Sequence, residues 1–184
     1  MVSPDGAEVA SEGRPPAREA LYQAHRKATS LAARFPEAVV LGSDTLISLD
    51  GAKVGKPKDS AEARDILRRL RGRTHEVVTA VAIRHAGRTF EAVETARVRM
   101  REFSDTDLEA YLATGDSFDK AGAYSVQGRG RDLLAGLDGD YLAVVGLPLR
   151  VVAEGLRAMG CSVTVDLDRL YRERAFLNWR TFEP

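Results

Sequence analysis

The chain has a single cysteine, Cys161, and only three histidines, His25, His75 and His85, among its 184 residues. One cysteine excludes an intrachain disulfide and argues against a thiolate zinc site. The histidines lie far apart with no metal-ligand spacing, so each reads as a surface or helix-face residue. An excess of one charge is also missing, because Lys plus Arg equals Asp plus Glu at 27 each. No net field therefore recruits nucleic acid or an anionic membrane. No apolar run reaches the length of a membrane span and the first residues carry no signal-peptide pattern. The expectation is a cytoplasmic protein without a membrane partner. Ser43 and Ser125 have no His–Asp arrangement nearby, which leaves nucleophilic catalysis without support.

What is present is enough apolar material, 44% of residues, to fill a core in one domain over residues 1–184. Pro16 to about Phe35 reads as a helix with Ala20, Leu21, Ala24, Ala28 and Leu31 on one face, and Pro36 stops it. Ala38 to Leu41 reads as a short buried strand. Leu46–Leu49 and Lys53-Val54 read as a hairpin around Asp50-Gly51, a pair that supplies the backbone of a tight turn. Asp59 and Glu62 cap a helix from Ser60 to Arg71, with Gly72 ending it. Glu76–Arg84 and Thr89–Met100 pair around Ala86-Gly87, and Ser104 with Asp107 opens a helix that runs to Thr114-Gly115. The glycine-rich stretch from Gly115 to Gly139 reads as short strands. Pro148 opens an apolar helix to Gly160, and a strand holding Cys161 as a small buried hydrophobe precedes a last helix. Strands and helices mix without strict alternation. The expected fold class is α/β, with a mixed sheet covered by helices rather than a Rossmann fold.

Two clusters carry chemistry. In Val39-Val40-Leu41-Gly42-Ser43-Asp44-Thr45 a carboxylate follows an apolar run, at the expected strand end, and Gly55-Lys56-Pro57-Lys58-Asp59 puts an ammonium on a stiff turn close behind. Asp44 can bind a metal or activate water, and Lys56 can neutralise phosphate charge, which suits polyphosphate hydrolysis. A surface ion pair flanking a hairpin is the plain alternative. The second cluster is Asp119-Lys120-Ala121-Gly122-Ala123-Tyr124-Ser125-Val126-Gln127-Gly128. Its glycines allow a ligand close to the backbone, and Gln127 offers one donor and one acceptor, enough to read a nucleobase edge. Arg129 and Arg131 are further phosphate candidates, whereas Arg68, Arg69, Arg71 and Arg73 read as a solvated helix end. Leu147-Pro148, in front of the apolar helix, reads as a structural stop and start.

Taken together, Leu41-Gly42-Ser43-Asp44-Thr45, Gly55-Lys56-Pro57-Lys58, Gly72-Arg73-Thr74-His75, Asp119 to Tyr124, Gln127-Gly128, Gly139-Asp140-Tyr141 and Val145-Gly146-Leu147-Pro148 fall in the order seen in the Maf family. The chain resembles that family from about Glu8 to Met159. The resemblance implies a fold like that of Maf and the inosine triphosphatases, a mixed, curved sheet flanked by helices with a central cleft. It also implies a nucleoside triphosphate pyrophosphatase that uses a divalent cation, Mg²⁺ or Mn²⁺. Carried over by matching positions, Asp44 is the proton acceptor, Glu8 and Lys56 join it in catalysis, and Asp44 with Glu8 holds the metal. Lys27, Thr45, Asp119, Lys120 and Gln127 fall to substrate binding. Thr45 and Gln127 resemble the branch that prefers dTTP and UTP over 7-methyl-GTP. A homodimer is the implied assembly.

One departure concerns the start. Family members open with a strand and a Ser-x-Ser-Pro-Arg-Arg segment, whereas Val2-Ser3-Pro4 is followed here by Asp5-Gly6. The expectation is a chain that begins about one strand and one helix late. That leaves a second function in view, a nucleotide-binding or regulatory protein of the same fold with impaired turnover. A third, a DNA-associated regulator, would rest on the arginines at the helix end.

Overall fold

Residues 13–176 and 178–182 are described by the computed structural model of the chain. Five strands form one sheet in the order β2-β1-β3-β4-β5, with β1 at Val40–Leu49, β2 at Ala52–Val54, β3 at Thr74–His85, β4 at Arg88–Met100 and β5 at Leu134–Asp138. The α/β class with helices against a sheet is borne out, with one refinement. Every pairing among the described strands is antiparallel, and tight turns at Asp50-Gly51 and Ala86-Gly87 close the β1–β2 and β3–β4 hairpins. Gly51 and Gly87, at φ 79° and 77°, supply the left-handed backbone those turns need.

Helix α1, Pro16–Ala32, packs on one face of the sheet through Ala20, Ala24 and Ala28, all fully buried, against Val40, Leu46, Val78, Ala80 and Ala82. Small residues on both sides bring the helix very close. At Gly42 an added Cβ would stand 2.4 Å from the Ala24 carbonyl oxygen and 2.8 Å from the Ala28 nitrogen. Gly42 is therefore not the strand terminator that the sequence pattern suggests. It is the point where α1 touches β1, and β1 runs on through Asp44 and Thr45 to Leu49. The expected short strand and the first arm of the hairpin are one element.

The other face carries four of the remaining helices. These are α2, Ser60–Leu70, α3, Asp105–Leu112, α4, Tyr141–Val145, and α5, Leu149–Ala158. Both expected caps are in place, since Asp59 accepts from the Glu62 nitrogen and Ser104 with Asp107 forms a full capping box. Leu67 and Leu70 of α2 and Leu108 of α3 share a core with Ile47, Val77, Val98 and Met100, while Val152 and Met159 pack on Val81 and Ile83. Arg68 and Arg71 pair with Asp105 and Arg73 pairs with Asp50, so three of the four helix-end arginines brace neighbouring elements.

Two other expectations are corrected, and one apolar run left without an expected structure is resolved. Residues 115–139 contain two 3₁₀ turns, Ala121–Ala123 and Arg129–Leu133, and one strand rather than several, because Pro-free but glycine-dense sequence satisfies its backbone locally. The apolar run before Pro148 is α4, capped by Asp140 and closed by Gly146 in the left-handed region at φ 106°. No strand forms at Cys161, which is half-buried in coil against the Val81 cluster, and α6, Leu167–Glu173, follows. Among the described residues no helix is long and apolar enough to cross a membrane.

Candidate active site

Side chains alternate along β1. Val40, Gly42, Asp44 and Leu46 face α1, while Leu41, Ser43, Thr45 and Ile47 face α4 and α5. On the side away from β3, β2 pairs only with residues 47–49. Among the described residues the stretch 40–46 is thus an edge, and a cavity of about 490 Å³ wraps around it. Its lining takes Lys27 from α1, Ser43 to Ile47 from β1, Lys53 to Lys56 from β2 and its following turn, Asp119 to Ala121 and Tyr124 to Gln127 from the glycine-rich segment, and Val144 to Gly146 from α4.

Asp44 is buried, at 7% exposure, and its Oδ1 accepts from Lys27 Nζ at 2.6 Å. The close seat of α1 on Gly42 puts that ammonium there, since Lys27 directly precedes Ala28. Lys27 also reaches the Ser43 carbonyl at 3.4 Å. On the opposite face Ser43 Oγ lies 3.0 Å from the Ala80 carbonyl and 2.9 Å from that of Gly146, tying the end of α4 to the sheet. Thr45 meets Thr79 across the strands, Oγ1 to Oγ1 at 2.8 Å, and Thr79 Oγ1 donates to the Ala143 carbonyl at 2.7 Å. The turn carrying Lys56 is joined to the segment carrying Lys120 by the Gly122 N–H, which donates to the Gly55 carbonyl at 3.1 Å.

The cavity is cationic in an otherwise balanced protein. Lys27, Lys53, Lys56 and Lys120 line it against the carboxylates Asp44 and Asp119. Val144, Val145 and Val126 add an apolar stretch of wall. Cationic and apolar parts side by side suit a ligand with a polyanionic end and a flat organic end.

The sequence profile of the family described as Maf-like protein matches residues 1–159. The chain belongs to the Maf family. It is similar to the dTTP/UTP pyrophosphatase of Moorella thermoacetica, 48% identical over 151 residues that cover 81% of this chain and 78% of that protein. Similarity extends to the dTTP/UTP pyrophosphatase of Pyrococcus horikoshii, 41% identical over 153 residues, 83% of this chain and 82% of that protein. The dTTP/UTP pyrophosphatase of Dictyoglomus turgidum is 40% identical over 166 residues, 89% of this chain and 86% of that protein.

In this Maf chain the cavity brings together Asp44, Lys56, Lys27, Thr45, Asp119, Lys120 and Gln127, drawn from four separate stretches of sequence. Glu8 lies outside the described residues. Asp44 sits inside β1, opposite Ala80, rather than at a strand end. Gly122 and Gly128 serve packing more than ligand approach: an added Cβ would meet Ile47 Cδ1 at 2.5 Å in the first case and Asp116 Oδ2 at 1.9 Å in the second. Arg131 does not line the cavity. Its guanidinium holds Thr181 and the Leu134 carbonyl and lies over Phe182, while Arg129 lines a different hollow beside α3. The Val144–Gly146 stretch, in a segment read as a structural stop and start, is part of the wall.

Three contributors were missed. Lys53 precedes Lys56 by three residues, and the strand alternation after Asp50-Gly51 could have pointed to it. Asn178 Nδ2 lies 3.1 Å from the carbonyls of Val126 and Gln127 and 3.2 Å from that of Gly128, pinning the Gln127 backbone from the far end of the chain. Nothing local in the sequence signals that contact. The third is Thr79, hidden in a strand whose β-branched composition explains it without function.

His75 is the histidine whose expected position is overturned. It is 2% exposed, its Nε2 is 2.7 Å from the Tyr124 hydroxyl, and the two rings meet edge to face beneath the cavity. Burial pulls its pKa down to about 4 from the ordinary 6.5. The unfolded chain takes up this proton near its ordinary pKa and the folded chain does not until about pH 4. The stability contribution is therefore full above about pH 6.5 and is lost as pH falls toward 4, on the order of 3 kcal/mol in all. Urea unfolding at pH 7, 5.5 and 4.5 should show a shallower acid decline in His75→Gln than in the parent. Parallel declines would rule out His75 as the titrating group.

Proposed function

We propose that this Maf protein hydrolyses dTTP and UTP to the nucleoside monophosphate and pyrophosphate. Its similarity to proteins named dTTP/UTP pyrophosphatase, at 40–48% identity over most of the chain, supports that reading. The observation that carries it is the cavity itself, four lysines gathered around a buried, strand-fixed aspartate and an apolar wall.

Attack on a phosphoryl centre is limited by charge, so the lysines' work is to hold the triphosphate and offset its charge. Asp44 takes a proton from the attacking water. The water oxygen bonds to the α-phosphorus, the bond from the α-phosphorus to the oxygen bridging it to the β-phosphorus breaks, and pyrophosphate leaves with that oxygen and the electron pair. Lys27, at 2.6 Å, fixes the direction in which the carboxylate points. Lys56, on its turn before Pro57, meets the phosphates from the opposite wall, with Lys120 beside it. Thr45 and Gln127 face the base.

The described donor set bears on the metal. No group of three His, Cys, Asp or Glu that could hold a metal is present among the described residues. The cavity carboxylates Asp44 and Asp119 fit an ion of the Mg²⁺ type, which takes one or two carboxylates and fills its shell with water and phosphate oxygens. Asp44, with Glu8 as the second carboxylate, would hold it, and the ion would supply charge neutralisation at the phosphates. The same reading carries a cytoplasmic homodimer as the working form and residues 1–184 as one domain.

The test is product analysis with dTTP, UTP, CTP and 7-methyl-GTP, each with Mg²⁺ or Mn²⁺ and after chelation. Monophosphate and pyrophosphate from dTTP and UTP in preference to the others, lost on chelation, is the expected result. Orthophosphate as first product would overturn the bond assignment. Tight binding of pyrimidine triphosphates without any turnover would favour a nucleotide-binding protein of this fold.

A further inference from the structure

Gln127 by itself does not separate uracil or thymine from cytosine. Uracil and thymine present an imide N–H beside a carbonyl, and cytosine presents a bare ring nitrogen beside an amino group. A primary amide turned through 180° matches either edge. Asn178 holds the Gln127 backbone, but no described residue fixes the way its side-chain amide faces. Discrimination needs a second group whose donor or acceptor sense cannot reverse.

Thr45 has that property through its neighbour. Thr79 is fully buried, and its Oγ1 lies 2.7 Å from the Ala143 carbonyl oxygen. A carbonyl brings no proton, so at that distance the single Thr79 hydroxyl proton must lie between the two oxygens. Turning it toward Thr45 would leave two bare oxygens in contact inside the protein, at the cost of an unmade buried hydrogen bond. The 2.8 Å contact between Thr45 Oγ1 and Thr79 Oγ1 is then donated by Thr45. With its only proton committed inward, Thr45 Oγ1 can offer the cavity nothing but lone pairs. Gly146 leaves room beside it, since a Cβ there would stand 3.2 Å from this oxygen. We propose that Thr79 is a positioning residue that locks Thr45 as a hydrogen-bond acceptor toward the ring N3 position of the base, so that the site favours bases carrying an imide N–H there over cytosine, whose N3 bears no proton.

This inference rests on the pyrimidine triphosphate reading, and the experiment separates the two. Binding of the α,β-imido analogues of UTP and CTP, which resist cleavage, is measured by calorimetry with Mg²⁺ for the parent, Thr79→Val, Thr79→Ser, Thr45→Val and the double variant Thr45→Val/Thr79→Val. The parent should favour the uridine analogue. Thr79→Val should cut the uridine-to-cytidine affinity ratio about tenfold, the worth of one hydrogen bond made in the wrong sense. Thr79→Ser, which keeps the hydroxyl and also guards against a folding defect, should restore the ratio. In the Thr45→Val background Thr79→Val should not move the ratio further. A parent that binds both analogues equally, or neither, overturns the inference. So does an unchanged ratio in Thr79→Val, or an equal drop in both backgrounds, which would mark a merely structural Thr79. Pyrophosphate release from UTP by the parent is scored separately. A chain that selects uridine but releases none loses the hydrolase reading and keeps this one.

Discussion

Asp44→Asn lowers the rate of pyrophosphate release about 10³-fold, within the range that removal of a general base produces, and leaves nucleotide binding in place. The change is isosteric and keeps an oxygen that can accept from Lys27, whose ammonium stands 2.6 Å from Oδ1. What disappears is the capacity to take a proton from water, together with one negative charge in a site where lysines outnumber carboxylates, while the amide oxygen stays available to the cation that Asp44 is proposed to hold. The affinity for an uncleavable analogue should therefore hold or tighten slightly while kcat collapses, a split that separates chemistry from binding. The check is steady-state kinetics with dTTP beside calorimetry with the imido analogue. A loss of kcat below tenfold would move the proton acceptor elsewhere.

Gly42→Ala is the change expected to damage fold and site together. The new Cβ would lie 2.4 Å from the Ala24 carbonyl oxygen, and the backbone of α1 cannot rotate away as a flexible side chain would. The helix has to move off β1, opening the Ala20–Ala24–Ala28 seam, at a cost of about 3 kcal/mol. Lys27 sits between Ala24 and Ala28, so the same shift takes its ammonium away from Asp44. Urea unfolding should show the lower stability. Activity measured where the variant is fully folded should still fall more than tenfold, because positioning on this scale is felt in the rate. Gly87→Ala is the control. Its own backbone is left-handed, φ 77°, but an added Cβ meets nothing within 4 Å, so it should lose some stability and no activity. Parent-like activity in folded Gly42→Ala would dissociate the helix seat from the site.

Local physics made much of this legible in the sequence. Asp50-Gly51 and Ala86-Gly87 named their turns because few other pairs tolerate that backbone, and Asp59, Ser104 and Asp107 named their helix starts through capping. The residues of the site were legible for a different reason. Acids and lysines next to glycines and proline stand out wherever they fall, and the family pattern set them in order. The failures share a cause as well. Gly42-Ser43-Asp44-Thr45 looks like the end of a strand when only its own polarity is considered, and only the approach of α1 explains a glycine and a buried acid inside β1. Asn178, Thr79 and the buried His75 act through partners 49 to 64 residues away, as their hydrogen bonds to Gly128, Ala143 and Tyr124 show. No spacing rule reaches that far.

The pleat of β1 has a consequence for how such a protein can change. Asp44 and Thr45 are consecutive, yet one points toward α1 and Lys27 and the other toward Thr79 and α4. The backbone between them works as a partition wall. If Thr45 meets the base and Asp44 serves water and phosphate as proposed, alterations around Thr45, Thr79 and Gly146 would retune which base is accepted without crossing to the Asp44 side of the strand. Hydrolytic competence can thus be inherited unaltered while substrate preference drifts, and two neighbouring codons can answer to separate selective pressures.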